Sequence, residues 1–191
     1  MAFWSESGLE PKRAYRFRVQ IAEMGAGGTD GGYMWYAKKV GKPTLSVTEH
    51  AHKYLNHTFY YPGSVSWQDV SLTLVDPVDP DMAATLSEMI EVAGYSPPTD
   101  SNSLTSMSKA KAAGALGTVI ITQIDSDGAP LETWTLWNSF ITELKYGDLE
   151  YGGDDLTEVS VTLKYDWARL ETPQSTSSAV AGEGGNSFFN I

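Results

Sequence analysis

Apolar and polar residues alternate along much of this chain, with the period of two that is typical of β-strands burying one face. The longest regular example runs from Val159 to Trp167, where every odd-numbered position is apolar and polar residues lie between. Apolar and aromatic residues recur in the preceding segment 134–146, and the acidic, Gly-rich stretch 152–155 follows it. We therefore predict that residues 134–167 form two long strands joined by a turn.

Alternation also predicts strands at 13–21 and 44–50. Further strands are predicted at 33–40, 58–61 and 65–75, and a core strand at 118–124. Within segment 65–75 the apolar positions change phase between Trp67 and Val70. A shift of one residue is what a β-bulge produces, so we predict a single strand that is bent at this point.

Glycine, proline and aperiodic residues separate these strands. Residues 51–56 show no clear period and are predicted to be irregular, while Pro62 and Gly63 are predicted to end the strand before them. The Gly-rich segment 25–32 precedes a strand pattern rather than a helix. We therefore predict a hairpin loop there and not a phosphate-binding loop.

One segment follows the helical period. Asp79 is predicted to cap it, Pro80 suits its first position, and Gly94 suits its C-terminal end. The apolar stripe has the i, i+3, i+4 spacing of a packed helix and consists of Met82, Leu86, Met89, Ile90 and Ala93. The sequence therefore predicts a mainly β protein, an antiparallel β-sandwich or barrel-like fold with one flanking α-helix.

Two segments lack a strong period. Residues 95–117 are predicted to form a long surface loop that could include a helical turn around 108–113. Residues 172–191 are rich in Ser, Gly and Ala, which favours a flexible tail after a domain spanning 1–171. We expect deletion of this tail to leave the fold intact, and the apolar residues at its tip are candidates for docking on a neighbouring copy.

Composition limits the function classes. The 191 residues suit one domain, and 13 basic against 24 acidic residues give a formal net charge of −11. Nucleic-acid affinity depends on Lys and Arg, so the chain is not expected to grip DNA or RNA. It contains no cysteine, no segment resembling a signal peptide and no apolar run of membrane-spanning length. We expect a soluble protein that is made in the cytoplasm.

Candidate chemistry is sparse. His50 and His52 form a His-x-His pair, with His57 nearby, but the downstream Glu and late His of a cupin metal site are missing. The Asp-x-Asp-Gly segment 125–128 lacks the distal Glu of a calcium loop and is predicted to be a hairpin turn. No nucleophile–base motif occurs, and carboxylates are too numerous to single out a pair. We predict no enzyme activity, no metal and no cofactor, with the histidines at the surface or a subunit contact.

Three blocks, in order, resemble the tail tube proteins of contractile-tailed bacteriophages, a family related to type VI secretion tube proteins. The first is the strand 15–19, Tyr-Arg-Phe-Arg-Val. The second spans 37–43 and the strand 67–74, Trp-Gln-Asp-Val-Ser-Leu-Thr-Leu. The third and most specific combines Glu143-Leu144 with 156–163, Leu-Thr-Glu-Val-Ser-Val-Thr-Leu, and an aromatic end at Tyr165 and Trp167. Segments 95–117, 50–57 and the tail depart from the family pattern.

The resemblance implies six-membered rings that stack into a tube, with strands of all subunits forming one inner barrel. It implies sheath, baseplate and tape-measure proteins as partners, and location in the tail of a virion assembled in the host cytoplasm. DNA would pass through the lumen without specific binding, which suits an acidic, hydroxyl-rich lining. The strands with a small polar face make Ser46, Thr48, Ser71 and Thr73 the candidate lumen-facing residues.

Two alternatives remain open at this stage. One is a tube subunit of a type VI secretion system or another contractile injection system, which shares the fold. The other is a soluble β-sandwich carbohydrate-binding module, because the six Trp and ten Tyr could supply stacking platforms. Most of these aromatic residues lie in phase with Val and Leu, however, which favours burial.

Overall fold

The alternating segments form antiparallel strands in the computed structural model, which describes residues 11–22, 35–99, 106–172 and 186–189. In chain order the elements of this described part are β1 (Phe17–Ile21), β2 (Ala37–Val40), β3 (Leu45–Tyr54), β4 (His57–Trp67), β5 (Val70–Val75), α1 (Met82–Val92), α2 (Lys109–Leu116), β6 (Val119–Ile124), β7 (Pro130–Trp137), β8 (Phe140–Lys145), β9 (Glu158–Lys164), β10 (Trp167–Thr172) and β11 (Asn186–Phe188). The predicted Gly-rich hairpin loop at 25–32 lies outside the described residues.

The strands form three sheets. A five-stranded sheet has the order β1-β6-β7-β10-β11, and a four-stranded sheet has the order β2-β5-β9-β8. The third sheet contains only β3 and β4, and we call this long hairpin the arm. Every pairing among the described strands is antiparallel, so the predicted mainly β, antiparallel class is confirmed.

The hydrophobic core lies between the five-stranded and four-stranded sheets. Strand β9 shows why: its burial alternates at every residue, with its apolar side chains buried and its polar ones turned away. The five-stranded sheet contributes Val19, Ile21, Val119, Ile121, Leu136 and Ala168, and the four-stranded sheet contributes Val70, Leu72, Leu74, Val159, Val161 and Leu163. Burial of this apolar surface is the main stabilising term, at roughly 25 cal/mol per Å².

Segment 134–167 contributes strands to both large sheets, which its sequence does not suggest. The prediction of two long strands is wrong, because the chain leaves the five-stranded sheet after β7 and enters the four-stranded sheet at β8. The change occurs at Asn138, whose φ of 52° is left-handed, and at the buried Ser139. Strands β8 and β9 pair with each other as predicted, and loop 146–157 joins them.

The arm also differs from prediction. Residues 51–54 continue β3 instead of being irregular, and β4 runs through Pro62 and Gly63 to Trp67. The register shifts between Val47 and Glu49 of β3. There, the two β4 residues Gly63 and Ser64 lie opposite the single β3 residue Thr48, as in a β-bulge. Residues 65–75, predicted to be one bent strand, belong to two sheets, with the change at 68–69.

Helix α1 covers the core with Met82, Leu86 and Met89, as its spacing predicts. Its N-cap is Asp81 rather than Asp79, because the Asp81 carboxylate accepts a hydrogen bond from the Ala84 backbone N–H at 2.9 Å.

Helix α2 lies where the sequence predicts a long loop, so the expectation of one flanking helix is wrong. Ser108 caps its N-terminus, and Gly117, with φ +68°, follows its last residue. Its buried face consists of small residues and one leucine: Ala112, Ala115 and Leu116. Lys109 donates a hydrogen bond to Asp166 at 2.7 Å, which ties the helix to the turn between β9 and β10.

The predicted flexible tail contains a short strand. Residues 186–188 form β11, which pairs with β10 at the edge of the five-stranded sheet. The remainder of the tail, 173–185 and 190–191, lies outside the described residues. The division into a domain at 1–171 and a tail at 172–191 stays a prediction.

Candidate assembly surfaces

The arm projects from the sandwich with both faces accessible. All but four of its strand residues are exposed, although many of them are large and apolar or aromatic. The exposed members are Leu45, Val47, Tyr54, Leu55, Phe59, Tyr60, Tyr61 and Val65. Exposed apolar and aromatic residues concentrated on one hairpin make the arm a candidate interaction site.

The arm is anchored to the core through Trp67, its last residue. The Trp67 ring lies 6.0 Å from the buried Tyr165 ring and 5.4 Å from the Phe189 ring. Gln68 continues the anchor, since its backbone N–H donates to the Thr44 carbonyl at 2.8 Å. The base of the arm is therefore held in place, while its distal part has no partner among the described residues.

The three histidines share one face of the arm. Cross-strand partners point to the same side of a hairpin, and His50 pairs with Tyr61, His52 with Phe59, and His57 with Tyr54. The His57 and Phe59 rings meet edge to face at 4.7 Å. Within the described part of the chain, no group of three or more His, Cys, Asp or Glu residues is arranged to hold a metal ion. The histidines therefore belong to an exposed aromatic face.

Nearer the base, the same face carries a ladder of hydroxyl groups. The Ser46 and Ser66 hydroxyls lie 2.8 Å apart, and those of Thr48 and Ser64 lie 3.2 Å apart. The Gln68 amide donates to the Ser46 hydroxyl at 2.9 Å. Two candidate lumen-facing residues, Ser46 and Thr48, thus lie side by side on this ladder, which lacks the large apolar side chains of the distal arm.

The other two candidates lie on the outer face of the four-stranded sheet. Ser71 and Thr73 point away from the core, because their neighbours Val70, Leu72 and Leu74 are buried. Their cross-strand partners on β9 are Thr162 and Ser160. The outer face therefore has a centre of four hydroxyl side chains, two of which the sequence search did not single out.

Charged residues surround that centre in pairs of opposite sign: Lys164 with Asp69, Lys145 with Glu143, and Lys38 with Glu158. The four predicted residues thus fall into two pairs, Ser46 and Thr48 on β3 of the arm and Ser71 and Thr73 on β5 of the four-stranded sheet. Ser46 and Thr48 lie on the face of the arm opposite Trp67, and Ser71 and Thr73 lie on the face of β5 opposite its buried side chains.

Both edges of the four-stranded sheet are open in the described structure. Strand β2 pairs only with β5, and β8 pairs only with β9, so each has one unpaired side. Unpaired strand edges offer backbone donors and acceptors to another strand. A second copy of the chain could therefore extend this sheet on either side.

Strand β7 of the sandwich carries a buried carboxylate, Glu132. Glu132 is 8% exposed and accepts hydrogen bonds from the ammonium groups of Lys12 and Lys42 and from the Trp134 indole N–H. Burial opposes its ionisation, but these donors outweigh that effect and lower its pKa to about 2. The sequence search missed this group because Glu132 occupies a core-facing strand position that usually carries an apolar residue.

The β8–β9 loop lies at the end of the four-stranded sheet opposite the arm. Glu158, next to the loop, pairs with Val75 at the end of β5, whereas the arm enters the sheet at Val70. The loop carries Leu149, Tyr151 and Leu156 in fully or largely exposed positions. The subunit therefore presents exposed apolar residues at both ends of this sheet.

Among the described helices, neither is long and apolar enough to cross a membrane.

No protein-family model and no curated protein sequence matches the chain. Solved structures do share its fold. A chain from the PVC sheath/tube terminator of an extracellular contractile injection system has a TM-score of 0.60 at 17% identity, with 86% of this chain and 99% of that chain covered. A chain from the PVC sheath–tube complex has a TM-score of 0.59 at 16% identity, with 90% and 99% covered. The chain has the tube fold of contractile injection systems.

This tube fold extends beyond those assemblies. A type six secretion system protein has a TM-score of 0.54 at 10% identity, covering 91% of this chain and 94% of that one. The resemblance drawn from the three sequence blocks is thereby confirmed at the level of fold. The descriptions of these structures name parts of injection and secretion systems and no enzyme, in agreement with the absence of a catalytic motif.

Proposed function

We propose that this protein is the structural subunit of a bacteriophage tail tube, in which hexameric rings stack around a channel that conducts DNA during ejection. The observation that carries the proposal is the combination of a tube fold with an exposed apolar arm. A protein that remained monomeric would expose the arm's aromatic residues to water at a cost in solubility. In a ring or stack, neighbouring subunits cover them.

The four-stranded sheet supplies the inner barrel in this proposal. Its open edges, β2 and β8, allow lateral pairing between subunits, and its polar outer face then lines the channel with Ser71, Thr73 and their partners on β9. In this proposal Ser46 and Thr48, on the hydroxyl-bearing face of the arm, also face the channel. Hydroxyl groups with balanced charges offer DNA no cationic surface, so DNA would pass without being held.

Net charge supports transport of a polyanion. At −11 per subunit, a ring repels the phosphate backbone, and nonspecific binding would be weak at physiological ionic strength. The proposed partners are further copies of the chain together with sheath, baseplate and tape-measure proteins. The protein would be assembled in the host cytoplasm and reside in the virion tail.

A second candidate function is the tube of a contractile injection or type VI secretion system. It is favoured by the likeness to the PVC sheath–tube complex and to the type six secretion system protein. The two functions predict the same rings but different cargo. The identity of neighbouring genes would separate them, since a phage tail is encoded beside capsid and terminase genes.

Negative-stain microscopy of the purified protein tests self-assembly. The proposal predicts rings or striated tubes with a central hole that form as the protein concentration rises. A variant carrying Leu55→Ser and Tyr60→Ser should keep its fold and form fewer rings. A homogeneous monomer at all concentrations would overturn the tube function.

A further inference from the structure

The C-terminal strand β11 lies against the edge of β10. We call this edge, residues 170–172 together with Arg169, the seat of β11. Strand β11 pairs through three residues with β10: Phe188 with Leu170, Ser187 with Glu171, and Asn186 with Thr172. The Arg169 guanidinium donates a hydrogen bond to the Ser187 hydroxyl at 2.8 Å. The seat thus includes the edge of β10 and the Arg169 side chain as a donor.

Phe189 extends the seat to the arm. Its ring meets the Trp67 ring edge to face at 5.4 Å, and Trp67 is the residue that anchors the arm. Phe189 nevertheless remains 54% exposed. The segment 186–189 is therefore held by few contacts, so its detachment should require less free energy than detachment of a core strand.

The connection to this segment is longer than a hairpin requires. Thirteen residues, 173–185, separate Thr172 from Asn186, whereas β-hairpin loops usually contain about 2–5 residues. Thirteen residues span up to roughly 45 Å when extended. This is several times the spacing of about 4.8 Å between neighbouring strands, so the length of the connection does not restrict segment 186–189 to β10 of its own chain.

We propose that segment 186–189 exchanges between subunits, so that in the assembled tube it pairs with β10 of a second copy and packs against that copy's Trp67. This inference rests on the proposed tube function. Exchange preserves every contact of the seat and changes only which chain supplies the strand, as in other domain-swapped assemblies. The high local concentration of neighbours in a ring favours it.

Exchange would link the C-terminal segment of one subunit to the base of another subunit's arm. Trp67 contacts both Phe189 and the buried Tyr165. Each exchanged segment would therefore stabilise the position of the arm on the subunit to which it binds. The chain would then be fastened to its neighbours by a backbone strand in addition to side-chain surfaces. Rings built in this way would resist separation more than rings held by surface contact alone.

Disulfide trapping tests the exchange cleanly because the chain contains no cysteine. Glu171→Cys and Ser187→Cys together place two thiols on paired positions of an antiparallel ladder, within reach of a disulfide. Tubes of this double variant are formed under reducing conditions, checked by microscopy, oxidised and run on a denaturing, non-reducing gel. The proposal predicts a ladder of covalent multimers, and a single monomer band would overturn it.

Two controls complete the design. Tubes of either single variant should give only background dimers, whereas tubes assembled from a mixture of the two should give covalent dimers. If the double variant assembles poorly, Thr172→Cys with Asn186→Cys tests the next step of the same register. Wild-type protein that forms no tubes would refute the proposed function itself, and this result is visible before any oxidation.

Discussion

At the scale of single residues, Glu132 shows how a strand position can depart from the apolar pattern without disrupting the fold. It lies on the core side of β7, where its register partner on β6 is Gln123. Lys42 donates to both side chains, and the Gln123 amide donates to the Arg13 carbonyl at 3.1 Å. A buried carboxylate is tolerated only when donors satisfy it, and here they are Lys12 and Lys42, which lie outside the strands, and Trp134 on β7 itself.

Replacement of this carboxylate should destabilise the protein. Glu132→Gln removes the charge that pairs with Lys12 and Lys42, so we expect a loss of about 1–3 kcal/mol in the free energy of unfolding, measured in urea. Glu150→Gln, in the β8–β9 loop, is the control and should change it by less than about 0.5 kcal/mol. Equal stability of the two variants would show that the ion pairs of Glu132 with Lys12 and Lys42 contribute nothing to the free energy of unfolding.

The difference should depend on pH. Because the folded-state pKa of Glu132 is lowered from 4.5 to about 2, its stabilising contribution is complete above pH 4.5 and disappears as the pH falls towards about 2. The gap in unfolding free energy between wild type and Glu132→Gln should therefore narrow across this window. A gap that stays constant would contradict the assigned pKa.

Gly147 is a second residue whose identity is fixed by its surroundings. Its φ is +81°, and a Cβ there would lie 2.5 Å from the Glu158 carbonyl oxygen. Gly147→Ala should therefore cost about 1–3 kcal/mol of unfolding free energy. Gly153→Ala in the same loop is the matched control, since a Cβ at Gly153 meets no atom within 4 Å. Thermal or urea unfolding of both variants measures the contrast, and equal values would exclude the steric explanation.

At the scale of elements, alternation identified the strands that pack between the sheets. In β1 and β9 burial alternates from one residue to the next, and this period of two is a local property that a single sequence displays. The sequence predicted the arm only in part, at 44–50 and 58–61. Residues 51–54 were missed because they are exposed on both faces of the arm, so no burial pattern marks them.

Helix α2 was anticipated only as a helical turn around 108–113 within a loop, for a different reason. Its buried face is mostly alanine, so the contrast between its apolar and polar sides is small. The change of sheet at Asn138 was also hidden, since it depends on one left-handed residue between two strands. Long-range packing, which a short sequence window does not contain, determined both features.

The candidate site was only partly predictable. The small polar faces of the strands led to Ser46, Thr48, Ser71 and Thr73, and the structure turns all four away from the core. Their partners on neighbouring strands, such as Ser66 and Thr162, depend on pairing register and appear only in three dimensions.

The arm should be separable from the fold. Leu55→Ser with Tyr60→Ser removes two largely exposed apolar side chains, so the free energy of unfolding should change by less than about 1 kcal/mol, while the concentration needed for assembly rises at least several-fold. Sedimentation velocity and urea unfolding report the two effects. Val78→Ser, fully exposed between β5 and α1, serves as the control. Normal assembly of the arm variant would exclude the arm as an interface.

At the scale of the whole molecule, the proposed function connects three properties of one chain. In this proposal the sandwich would provide a stable body, the arm and the open strand edges would provide surfaces for neighbours, and the acidic composition would repel DNA. None of these requires a catalytic group, and assembly alone would account for the exposed aromatic residues. The predicted lumen lining follows from which face of the four-stranded sheet is polar.

Cryo-electron microscopy of the protein at concentrations that promote assembly tests the central claim most directly. The account predicts stacked rings around an open channel, with the four-stranded sheets joined edge to edge and Ser71 and Thr73 facing the channel. Particles that remain monomeric at every concentration, or tubes in which this face forms the outer wall, would contradict it.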